Sequence, residues 1–274
     1  RYGQSVATRQ HPATGDSGQV STVSRAKKDA GCGRRASTRI LVRLNAAILA
    51  RPFRMIKLSC VLVVAVAMWP TVCQAADWPQ WRGPNRNGVS DDTGLLNRWP
   101  KGGPRRVRTI TGLGNGYASQ VVAAGRIFTI GKDEQMVFAR CFSEVDGKLL
   151  WSTRIGQTGR KALSTPTIDS GRVYAMDPDG NLHCLSVSDG KVIWKRSFAG
   201  EFGGRLQNGR GFAESPLVDG DSLVGTPGGA KHTMVLLDKM SGEVRWSCAV
   251  EPFGPRGRVG AGFSSAVALT VDGV

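Results

Sequence analysis

A short motif recurs along this chain at intervals too long for a helix and too short for a domain. Asp146-Gly147-Lys148-Leu149-Leu150-Trp151 returns as Asp189-Gly190-Lys191-Val192-Ile193-Trp194, and again as Ser241-Gly242-Glu243-Val244-Arg245-Trp246. The tryptophans stand 43 and 52 residues apart. A second landmark precedes each: Ala124-Gly125-Arg126-Ile127-Phe128, Ser170-Gly171-Arg172-Val173-Tyr174 and Asp219-Gly220-Asp221-Ser222-Leu223, with glycines 46 and 49 apart. A period of roughly 40–50 residues marks a repeat architecture, in which each unit leaves apolar faces that only its neighbours can cover.

Each unit reads as four short strands. In the second unit these are Thr165-Pro166-Thr167-Ile168, then Arg172 to Met176, Asn181 to Val187 and Lys191 to Trp194. Asp179-Gly180 and Asp189-Gly190 supply turns, because Gly readily takes the positive φ that tight hairpins require. After Asp77 no stretch keeps a helical period. The expected fold is therefore all-β, a propeller of four-stranded blades. Residues 119–274 hold three blades, and Phe263-Ser264-Ser265-Ala266-Val267 begins a fourth. In that geometry Trp151, Trp194 and Trp246 end the fourth strands and fill the wedges between blades, beside the turn glycines Gly147, Gly190 and Gly242. Carbohydrate stacking is the other reading of those rings; their regular spacing favours packing. Ser119, Thr165, Ser215 and Ser265 start equivalent inner strands, and they and Glu214 are the candidates to face the central channel.

The N-terminal third reads differently. Met55-Ile56-Lys57 is a short basic start, Leu58 to Trp69 is apolar, and Cys73-Gln74-Ala75 ends in small residues. That is the pattern of a secretory signal peptide over 55–76, cleaved near Ala75 or Ala76; a buried core helix broken at Pro70 is the alternative. The apolar run is shorter than the roughly 18 residues a membrane-spanning helix needs. No leucine stands three residues before Cys60 or Cys73, so a lipid anchor is not expected. Residues 1–54 are basic and of low complexity. They read either as upstream sequence ahead of the true start or as a transit or membrane-surface helix around Ile40, Leu41, Leu44 and Ile48.

Charge follows the same division. The chain carries 37 Lys and Arg against 21 Asp and Glu, a formal +16. Residues 1–54 hold 11 of the cations and 2 of the anions, whereas 77–274 hold 25 and 19. The excess lies mostly ahead of the repeats, so the net charge does not point to nucleic acid. Six cysteines occur, of which Cys141, Cys184 and Cys248 lie in the repeats, without the spacing of a zinc site or a disulfide framework. Cys141 and Cys184 each stand five residues before the Asp of a turn, where the third unit has Leu236, and so read as core positions. His183 points away from Cys184 across its strand, so the two do not converge on a metal. His232 lies in the glycine-rich loop Gly228-Gly229-Ala230-Lys231-His232, read as an inter-strand loop because no helix follows to complete a phosphate cradle.

These repeats resemble the PQQ-like β-propeller family, whose strand motif ends in Gly-Lys and a Trp. The segment Asp77-Trp78-Pro79-Gln80-Trp81-Arg82-Gly83-Pro84-Asn85-Arg86-Asn87-Gly88 resembles the opening of large secreted bacterial members, as do Gly112 to Tyr117 and Glu214 to Val218. Residues 77–118 are then an N-terminal segment of the propeller. Trp78 and Trp81 are candidates to anchor it across the blades. Arg82, Arg86, Arg105, Arg106 and Arg108 make it basic, for solvation or for an acidic partner. One departure stands out: Arg108 occupies a position where the subgroup has a strand-ending Trp. Family propellers close with seven or eight blades, so the resemblance implies that the sequence is part of a longer ring.

The resemblance permits two opposite functions. Quinoprotein dehydrogenases of the family bind pyrroloquinoline quinone and Ca²⁺ and oxidise alcohols or sugars. Other members, like the outer-membrane assembly scaffold lipoprotein, bind protein partners and no cofactor. The dehydrogenases' adjacent cysteine pair does not occur here, and Glu214 is the best single candidate for a calcium ligand, its alternative being contact with a neighbouring loop. The expectation is a non-catalytic scaffold in the periplasm or outside the cell, with partners at the propeller loops. A dehydrogenase fragment whose catalytic residues lie outside this chain is the alternative. A propeller fused to an enzyme as its sensor is a third class.

Overall fold

The structure, a computed structural model, describes residues 76–207, 209–252 and 260–269. The signal-peptide and leader readings, and the end of the fourth unit, fall outside them. The described chain forms three four-stranded antiparallel sheets in sequence order. Blade 1 is β1 (Val121–Ala123), β2 (Arg126–Asp133), β3 (Met136–Ser143) and β4 (Leu149–Gln157). Blade 2 is β5 (Thr167–Asp169), β6 (Arg172–Met176), β7 (Asn181–Ser186) and β8 (Val192–Ser197). Blade 3 is β9 (Leu217–Asp219), β10 (Ser222–Gly225), β11 (Met234–Asp238) and β12 (Val244–Cys248). Within each blade every strand pairs with the next along the chain, as consecutive hairpins dictate.

Alternation along β6 shows how blades stack. Val173 and Ala175 join a core with blade 1, while Tyr174 and Met176 join a second core with blade 3. Both faces are covered, so four consecutive residues of β6 are buried. Blade 3 shows the other case. Leu223, Val235 and Leu237 are buried against blade 2, whereas the opposite face, with Leu236 and Trp246, is half-buried or exposed among the described residues.

Among the described residues one short helix interrupts the strands, a difference from the reading of the sequence. This is α1 (Phe198–Phe202). The Gly200 N–H donates to Ser197 Oγ at 3.1 Å and the Ser197 N–H donates to Glu201 Oε1 at 2.8 Å, a reciprocal cap that holds one turn. Phe198 and Phe202 then fill the core between blades 2 and 3. Among the described residues no helix is long and apolar enough to cross a membrane.

Candidate functional site

The tryptophans sit third in their strands, not at the ends, because β4, β8 and β12 continue past them. Trp151 and Trp194 lie against the next blade. The Trp151 indole N–H donates to Val187 O at 3.0 Å, and that of Trp194 donates to Lys239 O at 3.3 Å. Val187 and Lys239 stand at the same repeat position, two before Asp189 and Ser241. Gly190 and Gly242 complete these contacts: a Cβ on Gly190 would stand 2.6 Å from the Trp151 ring, and one on Gly242 would stand 2.7 Å from that of Trp194. Trp246 faces no described blade and is 45% exposed.

Arg108 performs the same task without an indole. Its guanidinium donates to Glu144 O, the equivalent carbonyl two residues before Asp146. Beside it, Ile110 stands against Gly147, at 3.1 Å from where a Cβ would lie. The departure from the family pattern thus keeps the hydrogen bond and replaces the ring with an aliphatic neighbour.

The proposed channel residues are joined to one another. The Ser119 N–H donates to Thr165 Oγ1 at 3.0 Å, the Thr165 N–H to Ser215 Oγ at 3.1 Å, and the Ser215 N–H to Ser265 Oγ at 2.9 Å. Each hydroxyl stitches its blade to the one before. Thr165 and Ser215 are buried in doing so, while Ser119 is exposed and Ser265 half-exposed.

Glu214 is 2% exposed rather than open to a channel. Its Oε2 accepts from the Thr226 N–H at 2.6 Å and from the Thr226 hydroxyl at 2.7 Å. Burial pushes its carboxyl up to about 7, against the pull of those bonds and of the Arg86 charge. Arg86 is buried too, and donates to Ser215 O at 2.7 Å and Pro216 O at 3.0 Å. Its Nε and Glu214 Oε1 have no hydrogen-bond partner. Sequence reasoning named Arg86 only as one of several surface cations.

The N-terminal segment does cross the blades. Trp78 exchanges two main-chain hydrogen bonds with Val122 of β1, the Ile168 N–H of β5 donates to Pro79 O, and Arg86 reaches Ser215 and Pro216 ahead of β9. Trp81 is half-buried, with the Arg82 and Arg86 guanidinium groups 5.4 and 5.8 Å from its ring centre.

The thiols and imidazoles are packed or engaged. Cys141 and Cys184 are fully buried opposite Trp151 and Trp194, with Leu236 in the same register opposite Trp246. Burial pushes the Cys184 thiol up to about 11, away from the reactive thiolate. Cys248 is a half-buried free thiol. His183 is buried on the blade 1 side of β7, and desolvation pushes it down to about 4. His232 meets Ser247 Oγ at 2.8 Å and lies edge-on to Phe202. Among the described residues no three His, Cys, Asp or Glu side chains are grouped to hold a metal ion. Calcium takes six to eight oxygens, so the pair Glu214 and Thr226, with Arg86 beside it, does not fit that ion.

Comparison with known proteins accords with this architecture. The family described as outer membrane protein assembly factor BamB matches residues 133–273. The chain belongs to that PQQ-like propeller family. Family relatives of the same description occur in Moranella endobia, 31% identical over 88 residues, and in Yersinia pestis, 34% identical over 89. Those matches cover 29% and 30% of this chain and 22% of each relative, so the chain spans about a fifth of their length. Among solved structures, BamB from Moraxella catarrhalis is 19% identical with a TM-score of 0.37, over 52% of this chain and 38% of that one. The quinohemoprotein alcohol dehydrogenase from Comamonas testosteroni is 17% identical with a TM-score of 0.46, over 65% and 28%.

Proposed function

We propose that this chain is part of a non-catalytic propeller scaffold, exported to the periplasm or beyond, that binds protein partners through loops at one end of its blades. The observation that carries the reading is the run of hydrogen bonds from the Ser119 N–H through Thr165 and Ser215 to the Ser265 hydroxyl. Polar groups at inner positions, where an enzyme would present them to substrate, are engaged in holding blades together. The buried Glu214 likewise faces Thr226 and Arg86. Rigid stacked blades leave the connecting loops as the surface able to vary. The relatives' description as assembly factors for outer membrane proteins supports the same reading.

Fractionation of cells expressing the full chain is expected to place it in the periplasm with Ala76 or Asp77 at its N-terminus, and to recover it with a stoichiometric protein partner. Added pyrroloquinoline quinone and Ca²⁺ are expected to yield no alcohol- or sugar-dependent dye reduction. Tight cofactor uptake with dye reduction overturns the scaffold reading.

A further inference from the structure

Two adjoining cavities, of about 590 and 480 Å³, share Tyr117, Gly159 and Lys161. They form one groove where the chain enters successive inner strands. Tyr117 and Phe263 each lie two residues before an equivalent inner-strand serine, Ser119 and Ser265, and are 69% and 53% exposed. Leu163 lines the groove with them. The groove is lopsided in charge. Its lining holds Lys132, Arg160, Lys161 and Arg210 against one carboxylate, Glu134. This four-to-one ratio contrasts with the near balance of residues 77–274 as a whole.

Two of these cations are held without a carboxylate. Lys161 Nζ stands 5.0 Å over the Tyr117 ring and donates to its hydroxyl at 3.3 Å. Lys132 Nζ donates to the main-chain carbonyl of Gly159 at 3.0 Å. Arg160, by contrast, is paired with Asp179 at 2.5 Å. The ring and the carbonyl fix each ammonium at the groove while leaving its charge unneutralised.

We propose that this groove binds an extended acidic segment of a partner protein. Its carboxylates would meet Lys161 and Lys132, and its apolar side chains would lie on Tyr117, Leu163 and Phe263. The assignment rests on the scaffold reading and names the chemistry of its partner. A peptide accounts for both halves of the lining: charge alone would suit any anion, but exposed aromatic surface in a concave site asks for an apolar companion. Four cations, one of them already paired with Asp179, are too few for nucleic acid, whose sites follow many phosphates. The concave position of the rings does not suit a membrane surface.

The test is fluorescence anisotropy of the full chain with a labelled decapeptide of alternating Glu and Leu. A Lys–Leu decapeptide is the charge control, and phosphatidylglycerol vesicles and a single-stranded oligonucleotide serve as competitors. Binding is expected for the acidic peptide only, and to weaken as salt rises. Lys161→Glu and Tyr117→Ala are expected to weaken it tenfold or more, while Lys195→Glu, on the exposed outer strand of blade 2, leaves it unchanged. Both test residues are exposed, and the charge-reversed peptide tests the groove without any variant. Equal binding of the two peptides, or equal loss in all three variants, overturns the proposal. So does displacement by vesicles or oligonucleotide at a lower concentration than by unlabelled peptide. If the partner recovered with the chain binds Lys161→Glu as well as the native protein, the groove assignment fails while the scaffold reading stands. If no partner is recovered, the scaffold reading fails on its own experiment.

Discussion

Glu214 and His183 show how burial turns single residues into pH-dependent terms. Glu214 rises from an ordinary 4.5 to about 7 in the folded chain. The folded state therefore holds its proton more tightly than the unfolded one. The stabilisation is complete below about pH 4.5 and is lost as pH rises through about 7. Glu214→Gln keeps the shape and removes the titration. Its denaturant midpoint should stay flat where the native protein's falls, a difference on the order of 3 kcal/mol. His183 runs the other way, from 6.5 down to about 4. Its contribution is complete above about pH 6.5 and is lost as pH falls toward about 4, so His183→Gln should be less acid-sensitive in the same titration. The stitching hydroxyls make a third case. Thr165→Val removes an acceptor and strands the Ser119 N–H, and Ser215→Ala does the same to the buried Thr165 N–H. Ser215→Ala should cost about 1–3 kcal/mol, and Thr165→Val less, since Ser119 can turn to water.

A blade's worth depends on what stands beside it. Trp151 is 8% exposed and Trp246 is 45% exposed, although both occupy the same register. Trp151→Ala is expected to cost about 3–5 kcal/mol, as large buried aromatics do, and Trp246→Ala much less. The turn glycines divide in the same way. Gly171 and Gly190 have φ of +74° and +71°, but a Cβ on Gly171 meets nothing within 4 Å while one on Gly190 strikes the Trp151 ring. Gly171→Ala should lose only the backbone preference, about 1 kcal/mol, and Gly190→Ala clearly more. Thermal unfolding of the four variants reads both comparisons at once. Arg108 shows how an element tolerates change: the donor to Glu144 survives even though the ring does not.

At the scale of the molecule, the N-terminal segment acts as a strap over blades that are otherwise joined only to their neighbours. It touches β1, the start of β5 and the approach to β9, and Arg86 is its far anchor. Nearest-neighbour repeats gain cooperativity from such a non-local link. Arg86→Leu should therefore speed hydrogen exchange at the Trp78 and Val122 amides, residues it does not touch. It should also leave Glu214 without its nearest cation. Unchanged exchange at those amides would show that the strap is held elsewhere.

The repeat fold was readable because its causes are local. Asp-Gly turns, period-two apolar runs and a recurring Trp each act within a few residues, and their spacing alone set the class and the blade count. The equivalence of Cys141, Cys184 and Leu236 was readable for the same reason, since strand register repeats with the motif. The candidate site was less so. Sequence order grouped Ser119, Thr165, Ser215 and Ser265 as equivalents, but only stacking shows that the hydroxyls of Thr165, Ser215 and Ser265 face a neighbour's N–H rather than an open channel. Arg86 and Glu214 lie 128 positions apart in the chain, and no local pattern links them. The basic groove likewise brings Lys132 of β2 together with Lys161 and Phe263 from separate loops. Short-range preferences determine which strands form; which charges meet, and which stay unanswered, is decided by how the blades pack, because Coulomb and desolvation energies depend on distance and burial in space.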